Sequence, residues 1–131
     1  SNEGVIVSPQ SRSEGDQQFQ ALPSLEFQNL KVGILINDRS ASAAEVFTAA
    51  LKEHGRAWVI GEKSYGKGVV QKLFPLSNGA ALQMTVSHYY TPSGRMIEGV
   101  GIAPNQVYPM PHELKDESYV EHVAEILINR R

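Results

Sequence analysis

The chain has no cysteine. That excludes disulfides, thiol catalysis and thiolate metal sites, and it fits an extracytoplasmic protein without requiring one. Long apolar runs are also missing: nothing approaches the roughly 20 consecutive residues a membrane helix needs. Charge of one sign is not in excess, with 12 Lys and Arg against 14 Asp and Glu for a net −2. Electrostatics therefore gives no reason to expect nucleic acid or an anionic membrane as partner. No signal peptide is expected, because Ser1-Asn2-Glu3 leads straight into the strand-like Gly4-Val5-Ile6-Val7. This opening reads as a cut from a longer protein, with Ser1-Asn2 a vector remnant.

The 131 residues are enough for one domain, at an ordinary 41% apolar and 20% charged. Residues 4–8 read as a strand and 9–29, rich in Ser, Gln and Gly, as a long mobile loop. Lys31 to Asn37 is a continuous apolar run, expected to be a buried strand. A helix is expected from Ala43 to His54, with Ala43, Val46, Phe47, Ala50 and Leu51 on its inward face and Gly55 as its stop. Strands follow at 57–60, 69–74 and 80–90, the last two joined through Ser77-Asn78-Gly79. Residues 99–111 read as loop with at most a short strand. Ser118 to Asn129 forms a second helix with Val120, Val123, Ala124 and Leu127 turned inward. The layout is α/β with a mixed sheet and flanking helices. Three segments are expected: 1–30, a strand end and loop; 31–111, the core; and 112–131, the terminal helix.

Ser42 stands at the expected start of the first helix, where unpaired N–H groups can receive a developing negative charge. Ser42-Ala43-Ala44-Glu45 also fits a capping box, which is the plain structural reading. The two readings are compatible, since Ala43 N–H can serve as half of an oxyanion hole. Small residues around the hydroxyl leave room for a substrate backbone. Lys67, 25 residues further on, lies between Gly66 and Gly68. A lysine that acts as general base must be neutral, which takes burial or a neighbouring cation. Otherwise it is a solvated turn residue. Ser42 and Lys67 together suggest a serine nucleophile with a lysine base.

Two competing readings fail. Gly61 to Lys67 fits seven positions of a phosphate-binding loop, but Gly68 stands where Ser or Thr should hold magnesium. A strand also follows where a helix is needed, so no nucleotide is expected. Of the histidines, His54, His88, His112 and His122, with Asp38 or Asp116 to orient one, none is tied to Ser42 by spacing. They lack paired ligand spacing as well, and no metal or other cofactor is expected.

Several ordered motifs carry a resemblance over roughly residues 32–105. They are Gly33 to Asn37, Ser40-Ala-Ser-Ala-Ala-Glu45, Gly55-Arg56-Ala57, Gly61, and Ser64-Tyr-Gly-Lys-Gly68 with Gln71. Leu76, Gly79 to Leu82, Thr85, Tyr90-Thr91-Pro92, Gly94 and Gly101-Ile102-Ala103-Pro104 complete it. The chain resembles the carboxyl-terminal processing, or tail-specific, proteases of the S41 serine peptidases. The resemblance implies the C-terminal part of a ClpP/crotonase-like core and a Ser–Lys mechanism. Ser42 rather than Ser40 would be the nucleophile, Lys67 the general base, Gln71 the residue orienting the lysine, and Ala43 N–H an oxyanion donor. Gln71 reaches the lysine only if the backbone bends after the turn, because four strand residues span about 13 Å. The family often has Ser at Ala44 and Asp at Glu53 and Asn105; none of these departures removes the nucleophile or base.

The resemblance also implies protein or peptide substrates with free C-termini, and a periplasmic, envelope or thylakoid-lumen setting. The family's PDZ domain and the earlier part of its catalytic core are not in these 131 residues. The chain is therefore expected to act within a longer protein and to be inactive alone. Core surface left exposed could drive homo-oligomerisation. The rival reading is a non-catalytic relative that keeps the fold as a binding or scaffolding module.

Overall fold

β-Branched and apolar segments separated by turn residues fold into nine elements: β1 (Val5–Gln10), β2 (Phe19–Gln20), β3 (Val32–Ile36), α1 (Ala43–Glu53), β4 (Ala57–Gly61), β5 (Val69–Pro75), β6 (Ala81–Tyr90), β7 (Gln106–Val107) and α2 (Glu117–Ile128). They come from a computed structural model that describes residues 4–11, 15–22, 29–109 and 117–129. Parallel and antiparallel strands both occur, in two sheets. β3, β4 and β7 form a parallel sheet in that order, and β2-β1-β6-β5 an antiparallel one.

The parallel sheet positions the candidate site. β3 and β4 run in register from Val32 beside Ala57 to Ile36 beside Gly61, and α1 is the crossover between them. Ile36, Ala49, Val59, Ile97 and Ile102 make the buried core, with Ile34, Val46 and Tyr89 packed against it. Each fully buried Ile or Val among them contributes about 1.5–3 kcal/mol by leaving water. Arg56 N–H and Gly55 N–H close the end of α1 onto Leu51 O and Lys52 O, with Gly55 at φ 65°.

Four expectations change. β3 was expected buried, yet among the described residues it is the sheet's edge and only Ile36 is fully covered. α1 buries Glu45, Thr48, Ala49 and Ala50 and packs Val46 on the core, so Val46 and Ala50 of the expected face do turn inward. Ala43 is exposed and Phe47 is 57% exposed. The helix is rotated from its apolar register because the Glu45 carboxylate turns inward to meet buried donors, described below. In α2, Val123 is buried and Leu127 half-buried, while Val120 and Ala124 face solvent. Leu127 lies over β3 where Gly33 has no side chain; a Cβ there would collide with it. The stretch 9–29, expected as loop, extends β1 to Gln10 and supplies β2, which folds back on β1. Backbone pairing needs no apolar side chain, so a polar composition concealed it. Residues 12–14 and 23–28 of that stretch lie outside those described.

β5 and β6 form the expected hairpin. Leu76 N–H donates to Ala80 O at 2.8 Å, and Asn78 Oδ1 accepts from Ala80 N–H at 3.1 Å. Gly79 takes the positive φ the turn demands. The outer half of the hairpin leaves Leu73, Phe74, Leu76, Leu82 and Met84 exposed.

Candidate active site

β3 ends in a tight turn stitched by its own polar groups. Ser40 N–H donates to Asn37 O at 2.9 Å, Asn37 N–H to Ser40 Oγ at 3.1 Å, and Arg39 N–H to Asn37 Oδ1 at 3.0 Å. The turn delivers Ser42 to the N-cap of α1 at φ 57°, ψ −118°. Among the described residues Ser42 is the one non-glycine with positive φ. Such a conformation costs about 1–3 kcal/mol and persists only where its surroundings impose it. Ala43 follows as the first helical residue, exposed, with an N–H that has no intrahelical partner by geometry. The Ser42 side chain faces the N–H of Glu45 in the capping-box arrangement without closing a cap hydrogen bond.

The constraint on Ser42 comes from Glu45, which is fully buried. Oε2 accepts Ser42 N–H at 2.9 Å and Lys67 N–H at 2.8 Å. Oε1 accepts Gly66 N–H and the Ser64 hydroxyl, both at 2.6 Å. A carboxylate offers about four lone-pair sites, and here all four meet donors. One oxygen thus holds the main chain of both Ser42 and Lys67. The Ser64 hydroxyl is fixed in turn, accepting Ile102 N–H at 2.6 Å.

Every N–H from Ser64 to Gly68 has a tertiary partner. Ser64 donates to Ile102 O at 3.1 Å and Tyr65 to Ser40 O at 2.9 Å. Gly66 and Lys67 donate to Glu45, and Gly68 to Glu98 Oε2 at 2.6 Å. The glycines are there for close approach. A Cβ on Gly68 would stand 2.6 Å from Glu98 N, and one on Gly101 2.5 Å from Ser64 O. Lys67 therefore has a fixed backbone. Its side chain is exposed and, among the described residues, its ammonium has no hydrogen bond or ion pair. It lines an open cleft with Asp38, Arg39, Ala41, Ser64 and Tyr65.

The structure thus brings the backbones of Ser42 and Lys67 together, while Ser42 Oγ and Lys67 Nζ are not hydrogen-bonded to each other. Gln71 is placed differently. The strand is irregular between Val70 and Gln71, the bend its role requires, yet its Oε1 accepts Gln83 Nε2 at 2.5 Å on the exposed hairpin. Of the histidines, His54 Nε2 contacts Val5 O at 2.7 Å and His122 packs on Tyr108 at 5.7 Å between ring centres. His112 and Asp116 lie outside the described residues. β5, not a helix, follows Gly61 to Lys67, which removes the nucleotide loop. Sequence reading missed Glu45 as anything beyond a cap, and missed Ser64 and Glu98. The spacing of Gly66, Gly68, Gly99 and Gly101 was the available signal that two backbones meet.

A second polar cluster closes the far end of α1. Glu53 accepts Arg95 Nη2 at 2.6 Å, Ser93 N–H at 2.8 Å and the Ser93 hydroxyl at 3.0 Å. Burial pushes the Glu53 carboxyl up, but Arg95, Ser93 and Thr91 outweigh it and hold it below its ordinary range.

Residues 1–108 match the pattern of peptidase family S41. A carboxy-terminal-processing protease of Bartonella bacilliformis is 42% identical over 119 residues, which is 90% of this chain and 27% of that protein. A carboxyl-terminal-processing protease of Picosynechococcus is 45% identical over 76 residues, 58% of this chain and 18% of that protein. Among solved structures, a photosystem II D1 C-terminal processing protease superposes with a TM-score of 0.78 at 30% identity, covering 88% of this chain and 31% of that one. The chain spans about a quarter of the length of the Bartonella relative. Its α/β architecture is that of these proteases, and the chain belongs to peptidase family S41.

Proposed function

We propose that this chain carries the nucleophile and general base of a serine endopeptidase that cuts proteins near their C-termini, working within a longer protein. Ser42 Oγ attacks the scissile carbonyl as the neutral Lys67 amine takes its proton. Ala43 N–H donates to the oxyanion that forms. The Lys67 ammonium then returns the proton to the leaving amine, and water, deprotonated by the same lysine, releases the acyl group from Ser42. Gln71 orients the lysine once it is released from Gln83. The observation that supports this reading best is the single Glu45 oxygen that accepts both Ser42 and Lys67 N–H.

Among the described residues the Lys67 side chain is exposed. The dry surroundings a neutral lysine needs are to come from the rest of the parent and from bound substrate. That supports inactivity of the chain alone. Substrates with free C-termini and an extracytoplasmic setting rest on the family alone, and self-association rests on exposed apolar core surface. Exposure of Lys67 and the Gln71–Gln83 pair favour one second reading, a non-catalytic relative that binds without cutting.

Cleavage of an unstructured protein with an apolar C-terminus separates them. In the full-length parent, Ser42→Ala and Lys67→Ala should each lower kcat/KM by at least about 10³-fold with the fold intact. An inert wild type, or variants that cut as well as it does, would establish the binding module instead.

A further inference from the structure

We propose that the cavity between the C-terminal end of α1, the Thr91–Arg95 turn and the loop from Gly99 to Ala103 binds a small oxyanion, either a phosphate or a carboxylate group. Lys52, Lys63, Arg95 and Glu53 line it, three cations to one anion in a chain whose net charge is −2. Its volume of about 230 Å³ holds a tetrahedral ion with several waters.

The one carboxylate does not neutralise the site. Both Glu53 oxygens are occupied by Arg95 and Ser93, so Glu53 acts as a strut that fixes the guanidinium at the rim. Lys52 Nζ donates one of its three hydrogens to Ala103 O at 2.6 Å, which leaves two for a ligand. Lys63 is exposed and, among the described residues, has no hydrogen bond or ion pair. Burial first, and then the neighbouring Arg95, lower the Lys52 pKa, with Glu53 offsetting them only in part; an anion between the cations relieves their mutual repulsion. The carbonyl end of α1 adds about half a negative charge, and the cavity stays positive. Two ammonium groups beside a guanidinium fork suit an oxygen-rich anion.

The site does not depend on proteolysis, so it is tested by binding. Lysine side-chain NMR signals of the 131-residue chain are followed during titration with inorganic phosphate and, separately, acetate. Saturating shifts at Lys52 and Lys63 are expected in the millimolar range or below, with Lys72 on the hairpin unmoved. Lys63→Ala and Lys52→Met, the latter keeping the aliphatic stem, should each weaken binding at least about fivefold. Tighter phosphate than acetate assigns the site to a phosphoryl group; equal or tighter acetate assigns it to a carboxylate. Drift that never saturates and is shared by Lys72, or variants that bind like the wild type, would overturn the proposal.

Discussion

Ser42 holds a backbone conformation that a residue with a Cβ adopts at a cost, and the cost is separable from the hydroxyl. Ser42→Ala removes the nucleophile and keeps the strain, whereas Ser42→Gly removes both. The glycine variant should therefore be more stable than the alanine variant by about 1 kcal/mol in urea denaturation. Equal midpoints would mean the conformation is not strained. Glu45 is the residue that imposes it. Glu45→Gln replaces one acceptor oxygen by a donor that faces buried N–H groups, so a loss of about 3 kcal/mol is expected. A surface-cap glutamate would cost well under half of that. Ser42 and Lys67 were legible because small residues and glycines surround them in sequence. Glu45 was not, because a capping glutamate and a buried hub share one spacing; only the tertiary fold brings Ser64, Gly66 and Lys67 to it.

Two loops meeting backbone to backbone make the element that carries Lys67. Gly101→Ala places a methyl against Ser64 O, and Gly101 also has φ 67°. A loss of about 2 kcal/mol or more is expected on thermal unfolding. Gly79→Ala is the control: its φ is 83°, but nothing lies within 4 Å of the new Cβ, so only about 1 kcal/mol should be lost. The turn at the other end of α1 responds to acid. Glu53 has a lowered pKa in the folded chain, so its contribution is full above its unfolded value of about 4.3 and is lost as pH falls through the folded one. Glu53→Gln should cost about 1–2 kcal/mol at pH 7. It should also flatten the stability profile below about pH 4; a profile parallel to wild type would sink that assignment. Element types were readable from periodicity, since β3, α1, β4, β5 and β6 fall within a residue or two of expectation. The inward face of α1 was readable only in part: Val46 and Ala50 turn in, but the buried Glu45 carboxylate takes the place expected for Ala43 and Phe47.

At the scale of the whole chain, the parallel sheet and α2 depend on one missing side chain. Gly33→Ala drives a methyl into Leu127 and should loosen α2, at about 1–3 kcal/mol. Adding Leu127→Ala should recover part of that loss, and a purely additive double variant would show that the two do not touch. The division into two sheets was not legible, because strand periodicity says where a strand is and not which neighbour it takes. The arrangement around Glu45 has a consequence in time as well as space. Ser42, Gly66 and Lys67 N–H share one buried acceptor side chain, so any opening that displaces the Glu45 carboxylate frees all three at once. In hydrogen–deuterium exchange these three amides, from two distant segments, should therefore lose protection together. The two halves of the candidate site would then be assembled and dismantled in a single step.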